Sequence, residues 1–182
     1  FEMVEMMRKA CVAVGAPADL FQAVRYPSIP LTQHLMEECD LTLATGGKPM
    51  VKAAYSSGRP AYGVGAGNSS IVIDETADIE IAAANTRISK TSDFGSGCSA
   101  DGNIIIQRSI YDQMVAALEA EGGYLCNAEE KALLEAAMWD EKGNRTFPTI
   151  ACKPQQTADV AGFTIPQDRK FLMVENQGQI GP

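Results

Sequence analysis

The sequence predicts an α/β protein on three observations: short apolar runs of strand type alternate with helical periodicities, the helices between them are long enough to act as crossovers, and glycines punctuate the strand ends. Alternation of this kind implies parallel pairing, because parallel neighbours cannot be joined by a tight hairpin.

Taken in order, Val4, Met7, Ala10, Cys11 and Val14 recur at helical spacing and stop at Gly15-Ala16-Pro17. LFQAV then reads as a strand, LTQHLMEE as a helix, LTLAT as a strand, and PMVKAAYSSG as a helix closed by Gly58. PAYGVGAG and SSIVID are further strand segments, and ADIEIAAANTRISKT is an Ala-rich helix. NIIIQ is a strand. In SIYDQMVAALEAEGG, Ser109 and Asp112 resemble a capping box, and Ile110, Met114 and Leu118 form one apolar face. Asn127 and Glu130 open the helix NAEEKALLEAAMW in the same way, and KFLMVEN is the last strand candidate. A boundary is expected in GVGAGN, residues 63–68, where three glycines can carry the chain from one sheet to another. The chain opens inside a helix and closes on the polar NQGQIGP, which gives it the look of an excerpt.

Composition narrows the function classes. With 182 residues, 46% hydrophobic and 21% charged, the chain can build a sizeable core. A net charge of −8 with dispersed Lys and Arg argues against a nucleic-acid partner, whose phosphates require clustered cations. No apolar run approaches the roughly 18 residues that cross a bilayer, so no membrane partner is expected and a cytoplasmic protein is. Five cysteines at wide spacing, with no CxxC pair, predict free thiols. The single histidine, His34, lies in a helical segment and reads as solvated, and no ligand spacing points to a metal.

Cys98 is the exception among the thiols. In SKTSDFGSGCSADGN it is flanked by Gly97 and Ser99 rather than set in an apolar periodic segment, which makes it a candidate nucleophile. The others, Cys11, Cys39, Cys126 and Cys152, read as packing or surface thiols. Thr45-Gly46-Gly47 ends an apolar strand just before a helix, where the backbone of an open α/β sheet can approach a cofactor. By itself this is no nucleotide fingerprint, and GVGAGN is equally ambiguous.

In combination, ATGGKPMVKAAYSSGRPAYGVGAGNSSIVIDETADI followed by SKTSDFGSGC resembles the acylating, coenzyme A-dependent branch of the aldehyde dehydrogenase superfamily. That branch includes the aldehyde dehydrogenase half of bifunctional aldehyde/alcohol dehydrogenases and the microcompartment propionaldehyde dehydrogenases. PSIPLTQHLMEECD, EGGYLCNAEEKALL and DVAGFTIP extend the resemblance through nearly the whole chain. It implies part of a Rossmann-type coenzyme domain over residues 1–63 and the first part of an α/β catalytic domain over residues 64–182. It places the nucleophile on Cys98 and coenzyme contacts on Thr45, Gly46, Gly47, Gly63 and Gly65. The cofactors implied are NAD or NADP, with coenzyme A as cosubstrate, and the partners are a small aldehyde (acetaldehyde, propionaldehyde or sulfoacetaldehyde) and further copies in a homo-oligomer. A bacterial microcompartment is the alternative location.

The chain departs from that pattern at two places. Many acylating relatives carry asparagine where Phe94 stands, and a CxSE-like continuation where this chain has Cys98-Ser99-Ala100-Asp101; SDFGSGCSADGN looks closer to the acylating sulfoacetaldehyde enzymes, with Arg87 a candidate cation for a sulfonate. Hydrolytic members hold a general-base glutamate in the stretch corresponding to YGVGAGNSS, and alignment of SIVID puts Gly63 there, with Asp93 or Asp101 as alternative bases. Small residues at Gly63, Gly65, Ala66 and Gly67 would leave room for the pantetheine arm. Two other readings compete: a dehydrogenase that passes the acyl group to water or phosphate, and a non-catalytic nucleotide-fold assembly module with an inert Cys98.

Overall fold

The computed structural model describes residues 1–65, 67 and 69–176; Ala66 and Asn68 of the glycine stretch, and the closing residues 177–182, lie outside the described residues. The chain divides into two compact units, Phe1–Ala66 and Gly67–Pro182.

The first unit begins with α1 (Glu2–Ala13), which ends where Gly15 takes φ +94° and donates its N–H to the Val12 carbonyl at 3.0 Å. Next, α2 (Ile29–Glu38) starts at Ser28, whose hydroxyl accepts the Leu31 N–H at 3.3 Å, with Pro30 in the first turn. Strand β1 (Thr42–Thr45), helix α3 (Lys48–Tyr55) and strand β2 (Ala61–Val64) form a βαβ unit, with β1 and β2 parallel and Thr42 facing Ala61. Its core is small: Met36, Ala44 and Ala54, with Ala53 and Ala61 against them. The small side chains of Ala44, Ala53, Ala54 and Ala61 let α3 approach both strands closely.

LFQAV is not a strand. Residues 20–24 are irregular, and Leu20 and Val24 are exposed. The residue types suit a strand, but the segment pairs with neither β1 nor β2, and an extended segment with no ladder partner gains nothing from its β propensity.

The second unit holds two parallel pairs. Strand β3 (Ser69–Ile73) pairs with β4 (Asp101–Ile106), joined by α4 (Ile79–Thr91), whose N-terminus is capped by Asp78 through the Ile81 N–H at 3.0 Å. Strand β5 (Gly123–Leu125) pairs with β6 (Phe171–Met173). Between the pairs runs α5 (Tyr111–Ala120), and α6 (Ala128–Met138) and α7 (Pro154–Ala161) separate β5 from β6. Ile73, Ala83, Met114, Leu118 and Phe171 form the main core, so one cluster ties β3 and β6 to α4 and α5. A second cluster of Cys126, Leu134 and Ala161 seats α6 and α7. Met114 is fully buried, and burial of such a side chain contributes about 1.5–3 kcal/mol.

The cap expected at α6 is present: Asn127 accepts from Glu129 and Glu130, and the Glu130 carboxylate accepts the Asn127 N–H at 2.9 Å. The cap expected at Ser109 and Asp112 is absent. A 3₁₀ turn over Arg108–Ile110 delays the α-helix to Tyr111, and the Ser109 hydroxyl takes a 3.1 Å bond from the Gln107 amide instead. Helix α7 and strand β5 were not foreseen, although Pro154 opens α7 and Gly162, at φ +92°, closes it.

Candidate active site

In the first unit the glycine turn continues the end of β1. The Gly46 N–H bonds the Val64 carbonyl at 3.0 Å, which sets Thr45 and Gly46 beside Val64 and Gly65 at the C-terminal edge of the strand pair. Gly47 is the N-cap of α3 and offers no side-chain cap; its carbonyl accepts from Met50 and Val51. Thr45, Gly47 and Gly65 are exposed. A Cβ on Gly47 would meet only the Pro49 ring at 3.6 Å, so the backbone is open to approach. An exposed, glycine-rich strand end leading into a helix N-terminus is the kind of place where open α/β sheets can take a dinucleotide.

Gly63 has a different task. A Cβ there would stand 2.6 Å from Val51 Cγ1 and 2.7 Å from the Tyr55 ring, and the Gly63 N–H donates to Tyr55 Oη at 3.0 Å. Gly63 therefore admits α3 onto β2. In this chain a glutamate at position 63 would collide with α3. The next residue along the strand, Val64, is turned to the opposite face. Neither carries a carboxylate, and none occurs from Arg59 to Ile73.

In the second unit α4 runs into a 3₁₀ turn, Ser92–Gly95, in which Asp93 (φ 50°), Phe94 (φ 54°) and Gly95 (φ 70°) are all left-handed. For Phe94 this conformation is costly. Glycine at 95 is required, since a Cβ would lie 2.9 Å from the Lys90 carbonyl oxygen. The turn is held by Ser96, whose N–H and hydroxyl both bond the Asp93 carbonyl, at 3.1 and 2.7 Å. A second turn, Ala100 N–H to Gly97 carbonyl at 3.0 Å, encloses Cys98, and the Asp101 N–H then bonds Ser89 Oγ at 3.1 Å as β4 begins.

Cys98 is exposed and free. The N–H groups of Gly97, Cys98 and Ser99 donate to no acceptor among the described residues, which leaves them available to an oxyanion. By contrast, Cys126 is buried, and burial, reinforced by the Glu130 charge, pushes its thiol up to about 11. Cys11, Cys39 and Cys152 are half-buried.

The remaining candidates fall elsewhere. Arg87 is paired through Nε with Glu121, just past α5, at 2.5 Å. Asp93 is exposed in the left-handed turn, and the charge of Asp101, half-buried at the start of β4, favours the Lys90 ammonium. His34 is exposed on α2, in the first unit. Sequence reasoning did not single out Lys90, Asn103 or Arg145, which line one cavity of the second unit; they are far apart in the chain, and no spacing rule joins them.

Residues 2–126 match the aldehyde dehydrogenase family, and the chain belongs to it. It is 44% identical over 181 residues to a sulfoacetaldehyde dehydrogenase of Acholeplasma sp., covering 97% of this chain and 37% of that protein. An acetylating aldehyde dehydrogenase of Geobacillus thermoglucosidasius superposes with a TM-score of 0.93 at 37% identity, over 99% of this chain and 40% of that one. A propionaldehyde dehydrogenase of Rhodopseudomonas palustris, with bound CoA and an acylated cysteine, gives 0.83 at 29% identity, over 94% of this chain and 40% of that one. The α/β fold is that of aldehyde dehydrogenases. The chain thus spans roughly two-fifths of the length of these relatives.

Proposed function

We propose that this chain carries the nucleophile and part of the coenzyme site of an acylating aldehyde dehydrogenase. The observation that carries the reading is Cys98: exposed, framed by two tight turns, and surrounded by backbone N–H groups with no acceptor among the described residues. The likeness to an enzyme with CoA and an acylated cysteine supports it. The first unit then belongs to the coenzyme domain and the second to the catalytic domain, with the division near the glycine stretch. Thr45, Gly46, Gly47 and Gly65 are the residues that would hold NAD or NADP, with Gly63 seating the helix behind them.

The chemistry follows from a thiol in that setting. The Cys98 thiolate adds to the aldehyde carbonyl, and the N–H groups of residues 97–99 receive the developing oxyanion. As the oxyanion collapses, the carbon loses hydride and Cys98 carries a thioester; a nicotinamide held at Thr45, Gly46, Gly47 and Gly65 would supply the two-electron acceptor this requires. The CoA thiolate then attacks the thioester carbonyl, acyl-CoA departs, and Cys98 is released as thiolate. A small aldehyde such as sulfoacetaldehyde, acetaldehyde or propionaldehyde is the substrate class, and further copies of the chain are the expected assembly partners. No helix among the described residues is long and apolar enough to cross a membrane, which is consistent with action in the cytoplasm or a microcompartment.

Intact-mass spectrometry of the complete enzyme, given aldehyde and NAD(P) without CoA, tests the reading. An acyl adduct on Cys98, absent in Cys98→Ser, is expected; no adduct, or one on another cysteine, would defeat it.

A further inference from the structure

The second unit contains a cavity of about 1200 Å³ lined by α4, β4, α6, β6 and residues 145–153. Its charge is lopsided. Among the described residues Lys90, Lys131, Arg145, Lys153, Arg169 and Lys170 line it against a single carboxylate, Glu135, and that carboxylate stands 4.0 Å from Lys131. Some of these cations are already engaged: Lys131 also bonds the Glu175 carbonyl and Asn176, and Arg169 bonds the Glu119 and Gly123 carbonyls.

Lys90 and Arg145 are not neutralised in this way. Arg145 uses two of its donors on Thr149, at 3.1 and 2.8 Å, and lays its guanidinium over Trp139, 5.3 Å from the ring centroid. Neither it nor Lys90 is in an ion pair among the described residues. Burial lowers the pKa of both groups, and Arg145 further depresses Lys90, with only Asp101 opposing. In the same cavity the Asn103 amide nitrogen is buried with no partner among the described residues. Two desolvated cations whose charges repel line the same cavity as an unsatisfied buried donor, an arrangement that costs free energy when empty and is relieved by an anion with several acceptor oxygens.

We propose that this cavity binds an oxyanion, a carboxylate, sulfonate or phosphate, through Lys90, Arg145 and Asn103. The oxyanion can come from a free small molecule or from a carboxylate side chain of polypeptide beyond the described residues, since the relatives are longer than this chain. The shared chemistry is a planar or tetrahedral group accepting charge-assisted hydrogen bonds from a guanidinium and an ammonium. This assignment does not depend on the acylating reaction.

Trp139, the only tryptophan, reports on the site because Arg145 stacks on it. The test is a fluorescence titration with sodium sulfate, and separately with sodium acetate, against sodium chloride at equal ionic strength. A saturable change with the oxyanion but not with chloride is expected, weakened about tenfold or more in Lys90→Met and retained in Lys90→Arg, with circular dichroism confirming the fold of each. A protein of the relatives' full length supplies the second arm. A response in both proteins identifies a free anion as the occupant; a response in the 182-residue chain that vanishes in the longer protein identifies an internal carboxylate. Absence of a saturable response in the 182-residue chain, or an unaltered one in a folded Lys90→Met variant, would overturn the proposal.

Discussion

Gly67 lies against the backbone of Cys98: a Cβ at position 67 would stand 3.2 Å from the Cys98 carbonyl oxygen. This is tighter than ordinary van der Waals contact, so an added methyl group must push the nucleophile's backbone by a few tenths of an ångström. Gly67→Ala is therefore expected to lower aldehyde turnover in the complete enzyme by about tenfold, because attack geometry is sensitive to sub-ångström placement. The loop is exposed and can yield, so stability should change by less than about 1 kcal/mol. Steady-state rates and a urea unfolding curve check both halves; unchanged turnover would mean that the contact does not position the thiol.

The contrast between Cys98 and Cys126 gives a pH signature. With a thiol pKa of about 11, Cys126 is roughly one part in a thousand ionised at pH 8, and it is buried, so iodoacetamide should label Cys98 well before Cys126. The same shift acts on stability. The folded pKa is raised above the unfolded value near 9, so the folded state holds this proton more tightly; the contribution is full below pH 9 and lost as pH rises through about 11. Lys90 acts in the opposite sense, since its depressed pKa favours the neutral amine in the folded state and adds stability as pH rises. Comparison of urea midpoints for the wild type and Cys126→Ala between pH 8.5 and 10.5 isolates the cysteine. The wild type should lose more stability over that range than the variant; parallel slopes would contradict the assignment.

Phe94 stores strain. A bulky residue at φ 54° is an outlier, and the left-handed conformation costs roughly 1–2 kcal/mol for an L-residue other than glycine, with asparagine the best-tolerated substitute. The ring is 52% exposed, so its removal forfeits little packing. Phe94→Asn should raise stability by about 0.5–1 kcal/mol, read from the urea midpoint. Destabilisation would show that the exposed ring contributes more than the backbone loses.

These relationships mark where the sequence was readable. Long periodic segments such as α4 and the Asn127 cap could be placed from local pattern alone, because the chemistry that forms them lies within a few residues. LFQAV could not, since a strand depends on a partner that local pattern does not contain. Ser109 misled because two capping geometries compete within one turn, and the 3₁₀ alternative prevailed. Cys98 stood out by its flanking glycine and serine residues. The Lys90, Asn103 and Arg145 cavity is assembled from three distant segments, and only folding reveals that the two cations share it. Gly63 and Val64 are adjacent in sequence and opposite in space, so alignment by one position decides which face a side chain would reach.

That last distinction leads to a prediction about the acyl acceptor. Hydrolysis of a Cys98 thioester needs a general base, typically worth about 10²–10⁴-fold, and no carboxylate occurs from Arg59 to Ile73. The acidic neighbours of Cys98 in sequence are Asp93, exposed on the turn before the nucleophile, and Asp101, half-buried at the start of β4. The complete enzyme, given aldehyde and NAD(P) alone, should show a stoichiometric burst of reduced cofactor that stops and resumes when CoA is added, with acyl-CoA as product. Val64 is 40% exposed on the face of β2 turned away from α3, so Val64→Glu should be accommodated with little loss of stability in the first unit, read from the urea midpoint. Gly63→Glu should instead destabilise the first unit, because Val51 and Tyr55 occupy the space its side chain would need. Asp93→Asn supplies the control: the CoA requirement should be unchanged. Sustained CoA-independent acid formation by the wild type, abolished in Asp93→Asn, would assign the base to Asp93 and rule out the acylating mechanism.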